Sequence, residues 1–406
     1  MAVMRYLTAH LFHSLLLSSL FCGAAAASDD MSHRPVDYVQ ALEQYLVEEI
    51  MPHIPGAALA VIADGQIELL KGYGVRRAGG SKPINRDTVF RLASVSKTIA
   101  ATSAGVAVHE GDLQWQTPVS EHLTLQFKNP DYGERITLQS VLSHTTGLMP
   151  QAYTNLIEAN IPYQEVAERI REVEFICPPE TCYSYQNVAF SLVGDLLLAA
   201  TGETYEDYTT RRLFRPLNMN TASFGWQAFT ENPNRATPHI KSRGRWHPVE
   251  PSPNYYNVAP AAGANASIAD MAQWVRAQLG QRPDVLPLEL LEQIHSPQVA
   301  TSFRQAHYRS HPALSNIHYG LGWRIFDFAE HQHFVHHGGW VEGTRTEVLF
   351  NRERQMGLVF LSNSENRYAR EVVYRFLELY ADYYRQIEAP ALLRKTDRQG
   401  PSPTNG

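Results

Sequence analysis

Strand-like runs sit near both ends of this chain, with a long and mostly helical stretch between them. That layout is the strongest constraint on its fold. Ala57 to Ile62 and Ile67 to Val75 are short apolar runs joined by a turn at Asp64-Gly65. Far downstream, His333 to His337, Thr344 to Phe350 and Gly357 to Leu361 read as three more strands. The Asn351-Arg352-Glu353 region turns the chain between the last two. Strands from both chain ends therefore have to meet in one sheet domain. Arg34 to Met51 has helical spacing, with Val39, Leu42, Leu46 and Ile50 on one face, and a second amphipathic helix from Glu371 to Tyr384 closes the fold. Leu138 to Ser143, Gln164 to Val173, Val188 to Thr201, Tyr205 to Leu213 and Ile268 to Leu279 are examples of the helical middle. These patterns predict a sheet domain built from residues 28–95 and 315–389 and a mostly helical inserted domain over 96–314. A Pro-, Gly- and charge-rich tail over 390–406 is expected to be disordered.

With 406 residues, 44% of them hydrophobic, the chain can bury a substantial core and is long enough for about two domains. A net charge of −6 and the lack of any basic stretch argue against a nucleic-acid partner, because nothing would neutralise a phosphate backbone. The lysines are few and scattered, at 71, 82, 97, 128, 241 and 395, so one inside a motif carries weight.

The N-terminus reads as a secretory signal over residues 1–27. Arg5 is the only charge before Asp29, an apolar run spans Leu11 to Cys22, and Ala25-x-Ala27 offers a cleavage site before Ser28. That run is shorter than the ~20 residues needed to cross a bilayer. A periplasmic or secreted protein with no stable membrane span in its mature form is expected, an uncleaved anchor being the alternative. Export leaves Cys177 and Cys182, five apart around Pro178-Pro179. In an oxidising compartment they can close a small loop, and two buried thiols are the other reading.

Three short elements carry chemistry. Ser94-Val95-Ser96-Lys97 is the only S-x-x-K in the chain. On a helix, positions i and i+3 share a face, which brings a serine hydroxyl and a lysine amine within hydrogen-bond reach. A desolvated lysine gives up its proton more easily and can then take the serine proton. Tyr185-Gln186-Asn187 is one of three Tyr-x-Asn sequences, but the only one preceded by a Pro-rich loop and followed by an amphipathic helix. A phenol beside a lysine ammonium has a lowered pKa and can serve as general base. His337-Gly338-Gly339-Trp340 ends a predicted strand, where paired glycines let a substrate backbone lie against the edge. The N–H groups of Trp340 and Ser94 would then donate to a developing oxyanion.

Competing signatures are missing. The chain has no G-x-S-x-G elbow, no H-E-x-x-H and no P-loop, and Gly72-Tyr73-Gly74 never completes a dinucleotide fingerprint. His331, His333 and His337 alternate onto one strand face, yet no Cys or carboxylate at ligand spacing joins them, so neither metal nor cofactor is expected. Ser143-His144 are neighbours pointing two ways. They make a poor catalytic pair and read as a helix cap.

In combination and order these elements resemble the serine β-lactamase and penicillin-binding protein superfamily, specifically its class C β-lactamase-like branch. Ser94-x-x-Lys97 matches the first motif and Tyr185-x-Asn187 the second, while His337-Gly338-Gly339 stands where relatives carry Lys-Thr-Gly or His-x-Gly. Leu142-Ser143-His144-Thr145-Thr146-Gly147-Leu148, Arg215-Pro216-Leu217-Asn218-Met219 and Tyr319-Gly320-Leu321-Gly322-Trp323 look like the branch too. The resemblance implies an α/β fold: an antiparallel sheet flanked by the N- and C-terminal helices, a helical inserted domain, and the site in the cleft between them. It also implies that Ser94 forms an acyl-enzyme on an ester or amide, with Lys97 and Tyr185 shuttling protons and Asn187 orienting substrate and Lys97. His337 and Gly338 supply neither the cation nor the hydroxyl that usually grips a substrate carboxylate. The activity implied is of the carboxylesterase or D-amino-acid and cell-wall peptidase type, with at most weak β-lactamase action. A slowly acylating or non-catalytic penicillin- or peptidoglycan-binding sensor is the alternative, and the substrate in either case is a small-molecule or peptide acyl compound.

Overall fold

In the computed structural model, which describes residues 36–302 and 311–396, the two ends of the chain meet through backbone hydrogen bonds. The first strand, β1 (Gly56–Ala63), pairs on one side with β2 (Gln66–Gly74) and on the other with the last, β8 (Met356–Ser362). Ala57 lies opposite Ser362 and Val61 opposite Leu358. Between them in sequence come β3 (Val299–Ala300), β4 (Leu314–Tyr319), β5 (Arg324–Phe328), β6 (His331–Val341) and β7 (Thr344–Asn351). The main sheet is antiparallel in the order β2-β1-β8-β7-β6-β5-β4-β3.

The central strands are apolar on both faces because both are covered. From β1, Leu59 and Val61 point into one core, and Ala58 and Ala60 into the other. The first core lies under helices α1 (Asp37–Tyr45) and α5 (Tyr368–Thr396), where Val39, Leu42, Phe376 and Tyr380 meet Leu358 and Phe360 of β8. The second lies under α2 (Ser96–Glu110), α3 (Asn187–Thr201) and α4 (Ile268–Arg276). Helix α2 is buried at every position from Ser96 to Ala107, which explains why its sequence shows no polar stripe. The second core runs without a break from Val359 and Leu361 on the sheet to Leu196 and Leu213 among the helices, so sheet and helices share one interior. The described residues form one compact unit.

Two departures from the sequence expectation are informative. The sheet has eight strands where five were legible. β4 and β5 escape because their pairing is irregular between Ile325 and Asp327 and Asn316 sits at φ 48°, which breaks the alternation. The closing helix also runs to Thr396, so residues 390–396 of the expected tail are helical. Ala391 to Lys395 are all strong helix formers. The expected signal segment, residues 1–27, and the end of the tail, 397–406, lie outside the described residues. Among the described residues no helix is long and apolar enough to cross a membrane.

One feature of the sheet positions the site. β6 pairs with β5 only as far as His336 but with β7 as far as Val341. Residues 337–341 thus run past the end of β5, leaving one backbone edge not paired with that neighbour.

Candidate active site

Ser94 sits at the turn between a short strand, Val89–Arg91, and α2. The strand is tied to Ala264–Ser267, and the chain then reverses through Ala93 at φ 50°, a left-handed conformation that an L side chain adopts at a cost. Ala93 and Val95 are buried while Ser94 is half-exposed. The turn is seated on the sheet. Thr346 of β7 donates through Oγ1 to the Leu92 carbonyl at 2.8 Å. At Gly339 of β6, an added Cβ would lie 2.3 Å from Thr346 Oγ1 and 2.5 Å from the Leu92 carbonyl oxygen. Only glycine lets the third element approach the nucleophile's turn this closely.

Lys97 is wholly buried on the first turn of α2. Its Nζ donates to Asn187 Oδ1 at 2.7 Å and to the Ala261 carbonyl at 2.9 Å, and it lies 4.7 Å from the centre of the Tyr185 ring. Burial pushes this ammonium well below the usual lysine range, and the positive charge of Arg324 adds to the shift. A direct Ser94–Lys97 hydrogen bond was expected; instead the Tyr185 hydroxyl donates to Ser94 Oγ at 3.0 Å. Ser94 lies in the 3-10 turn that leads into α2, and the Lys97 amine is taken up by Asn187 and the Ala261 carbonyl. The expected lowering of the Tyr185 pKa is also reversed. Burial raises it, because removing the phenol from water penalises its ionised form more than the hydrogen bond to Ser94 and the charge of Arg324 favour it.

Tyr185 is aimed by two loops zipped together. Ser184 N–H donates to the His144 carbonyl at 2.7 Å, Gln151 N–H to the Tyr185 carbonyl at 2.9 Å, and Ile176 N–H to the Gly147 carbonyl at 2.8 Å. Gly147 has φ +78°, and a Cβ there would lie 2.3 Å from the Cys177 carbonyl oxygen. Cys177 and Cys182 are joined as a disulfide, closing the loop just ahead of Tyr185. The His144 ring packs against the Tyr185 ring with centroids 4.2 Å apart, and its Nδ1 accepts the Gln186 N–H at 3.3 Å. The residue expected to cap a helix therefore supports the phenol. Ser143 alone turns back on that helix, donating to the Gln139 carbonyl. Asn187 opens α3, whose first N–H groups are capped by the Gln186 side chain.

His337 is buried, with Nε2 3.0 Å from the Tyr319 hydroxyl and Nδ1 2.9 Å from the Gly338 carbonyl. A carbonyl accepts only, so Nδ1 carries the proton and Nε2 accepts from Tyr319. Burial, with Arg324 and Lys97 nearby, holds this imidazole well below its usual pKa and keeps it neutral. Trp340 is half-exposed and donates through Nε1 to Glu365. Ser94, Tyr185, Asn187, His337, Gly338 and Trp340 line one cavity of about 410 Å³, with Lys97 and Gly339 directly behind them. Arg324, Arg345, Gln151, Tyr183 and Tyr255 line it too, and sequence reasoning missed all five. For Arg324 a signal existed, its place directly after the Tyr319–Trp323 element. The three strand histidines do not converge: His331 packs on Tyr380 and the His333 N–H donates to Asp327. Among the described residues no group of three or more His, Cys, Asp or Glu is placed to hold a metal.

A family model described as Beta-lactamase matches residues 39–381, from α1 through most of α5. The chain belongs to the β-lactamase family. It is 27% identical over 348 residues to the unguisins hydrolase ungD' of Aspergillus campestris, covering 81% of this chain and 63% of that protein. It is 25% identical over 329 residues to Protein flp of Staphylococcus aureus, covering 79% and 62%. The chain thus spans less than two thirds of the length of these curated relatives. Among solved structures, the octameric penicillin-binding protein homologue from Pyrococcus abyssi shares the fold at a TM-score of 0.72, with 23% identity over 81% of this chain and 74% of that one.

Proposed function

We propose that the protein is an exported serine acyl hydrolase that cleaves esters or amides through an acyl-enzyme on Ser94. The observation that carries this reading is the contact of the Tyr185 hydroxyl with Ser94 Oγ at 3.0 Å, beside a buried Lys97 whose ammonium is destabilised. A neutral amine has two N–H donors and one lone pair. Asn187 Oδ1 and the Ala261 carbonyl take the two donors, which leaves the lone pair to accept a proton. Ser94 Oγ attacks the acyl carbonyl while its proton passes by way of the Tyr185 hydroxyl to the lone pair of Lys97. Tyr185, still protonated because burial raises its pKa, then delivers its proton to the leaving group as the carbonyl–heteroatom bond breaks, and the proton held on Lys97 replaces it. Water enters, gives its proton back along the same path and releases the acid. The oxyanion donors in this reading are the backbone N–H groups of Ser94 and of Trp340, the latter on the strand segment that runs past β5.

Export to the periplasm or medium is part of the proposal. It is supported by the signal pattern of residues 1–27 and by the Cys177–Cys182 disulfide, which suits an oxidising compartment. A steady-state assay with 4-nitrophenyl butyrate tests the reading. The protein should turn the ester over, and Ser94→Ala should lower the rate by ~10³-fold or more. Stoichiometric acylation without turnover would replace the hydrolase with a sensor, and an active Ser94→Ala protein would reject both.

A further inference from the structure

The catalytic cleft does not account for all the cations that this fold brings together. Although the net charge is −6, Arg76, Arg77, Lys82 and Arg235 converge on one groove of about 430 Å³, together with Ser81 and Thr237. No carboxylate lines that groove, and it shares no lining residue with the cavity around Ser94. We propose that this groove is a second binding site, one that takes a phosphate-bearing ligand.

The fold holds the cations in place. Beyond β2 the chain turns through Gly79-Gly80 and comes back to bridge Val75 with Pro83. The Arg76 N–H donates to the Lys82 carbonyl at 3.0 Å and the Gly80 N–H to the Arg77 carbonyl at 2.9 Å, so three of the cations share one short loop. Residues 233–237 are locked against it. The Thr237 N–H donates to the Arg76 carbonyl at 2.9 Å, and Arg76 Nη1 donates to the Pro233 carbonyl at 2.7 Å and to Asn234 Oδ1 at 3.0 Å. Arg235 is held in turn by the Thr230 carbonyl. Two arginines are therefore fixed by hydrogen bonds, while Arg77 and Lys82 are exposed.

Like charges gathered in a concavity repel one another and focus their field on whatever anion enters. Glu250 approaches Arg77 at 3.7 Å and Arg235 at 4.0 Å, but its side chain is 71% exposed, and among the described residues these cations form no other ion pair. An exposed pair of this kind is worth little, so the groove keeps a positive surplus. The donor set selects the anion. Three arginine forks, an ammonium and two hydroxyls outnumber the oxygens of a carboxylate but suit those of a phosphate. The volume falls within the ~300–1,000 Å³ of ligand clefts, which leaves room for the group that carries the phosphate.

Glycerol 3-phosphate offers the phosphate free in solution, and phosphatidylglycerol vesicles offer it on a lipid headgroup. The full chain is titrated with the first by calorimetry at constant ionic strength, and sedimented with the second against phosphatidylcholine vesicles. Saturable binding of glycerol 3-phosphate is the expected result for a free ligand, and retention on phosphatidylglycerol alone assigns the phosphate to a membrane surface. In whichever arm binds, Arg77→Gln with Lys82→Gln should weaken the complex by at least about fivefold for each charge removed, with thermal melts confirming the fold. Glu250→Gln should tighten it about twofold or more, because a competing carboxylate is gone. Binding of neither probe overturns the proposal, as does binding that the double variant leaves intact or that acetate matches at the same concentration. A weaker complex in Glu250→Gln overturns it as well.

Discussion

Gly339→Ala is the most searching single perturbation of this architecture, because it adds one methyl group where strand, turn and nucleophile meet. The new Cβ would stand 2.3 Å from Thr346 Oγ1, 2.5 Å from the Leu92 carbonyl oxygen and 3.1 Å from Ala93 Cβ. Thr346 can rotate away only by giving up its 2.8 Å hydrogen bond to Leu92, and the carbonyl is backbone and must move with its turn. Overpacking of this kind costs about 1–3 kcal/mol, and the lost buried hydrogen bond about 1 kcal/mol more. For a chain of this size that total lowers the melting temperature by roughly 3–5 °C. The effect on rate should be larger than the effect on stability. Relief requires β6 and the Leu92–Ala93 turn to separate by most of an ångström, and a misplacement of ~1 Å at a reacting group costs about 10²-fold. Circular-dichroism melts and ester kinetics on wild type, Gly339→Ala and Thr346→Val separate the parts, since Thr346→Val removes the hydrogen bond without adding an atom beside Ala93. A Gly339→Ala protein with wild-type melting temperature and kcat/KM would show that the strand does not brace the turn.

Three further outcomes follow from the same geometry. If neutral Lys97 is the proton acceptor, kcat/KM falls as pH drops through a lowered lysine pKa, with that limb well below the ~10.4 of an ordinary lysine. Lys97→Arg should lose ~10²-fold or more, and an acid limb at the ordinary lysine pKa would contradict the assignment. His144→Leu removes the ring against Tyr185 and should lower kcat roughly tenfold by loosening the phenol; an unchanged kcat would make that packing incidental. Replacing Cys177 and Cys182 by serine should cost about 2 kcal/mol, as expected for so short a loop. Peptide mapping of the native protein without reduction should give one linked peptide, and two alkylatable thiols would refute the bond.

What was legible in the sequence and what was not divide along physical lines. Ser94, Lys97, Tyr185, Asn187 and His337 could be singled out because their chemistry depends on residue type at short spacing, and the structure brings all five to one place. Strands such as β1 and β8 were legible because each is an unbroken apolar run covered on both faces. β4 and β5 were not, since their bulged pairing breaks the alternation. Arg324 was passed over although it directly follows the Tyr319–Trp323 element, since its place in the cavity depends on where β5 starts relative to β6, a matter of register. The direction of the Tyr185 shift was not legible because the sequence shows a neighbouring lysine but not the burial of the phenol, which raises its pKa.

The central claim, an acyl-enzyme on Ser94, is tested most directly by intact-protein mass spectrometry after brief exposure to a fluorophosphonate probe or a slowly released ester, followed by peptide mapping. One adduct per chain on the peptide containing Ser94, absent in Ser94→Ala and slowed in Lys97→Arg, is the predicted result. An adduct on a different residue, or none while ester turnover persists, would contradict the account.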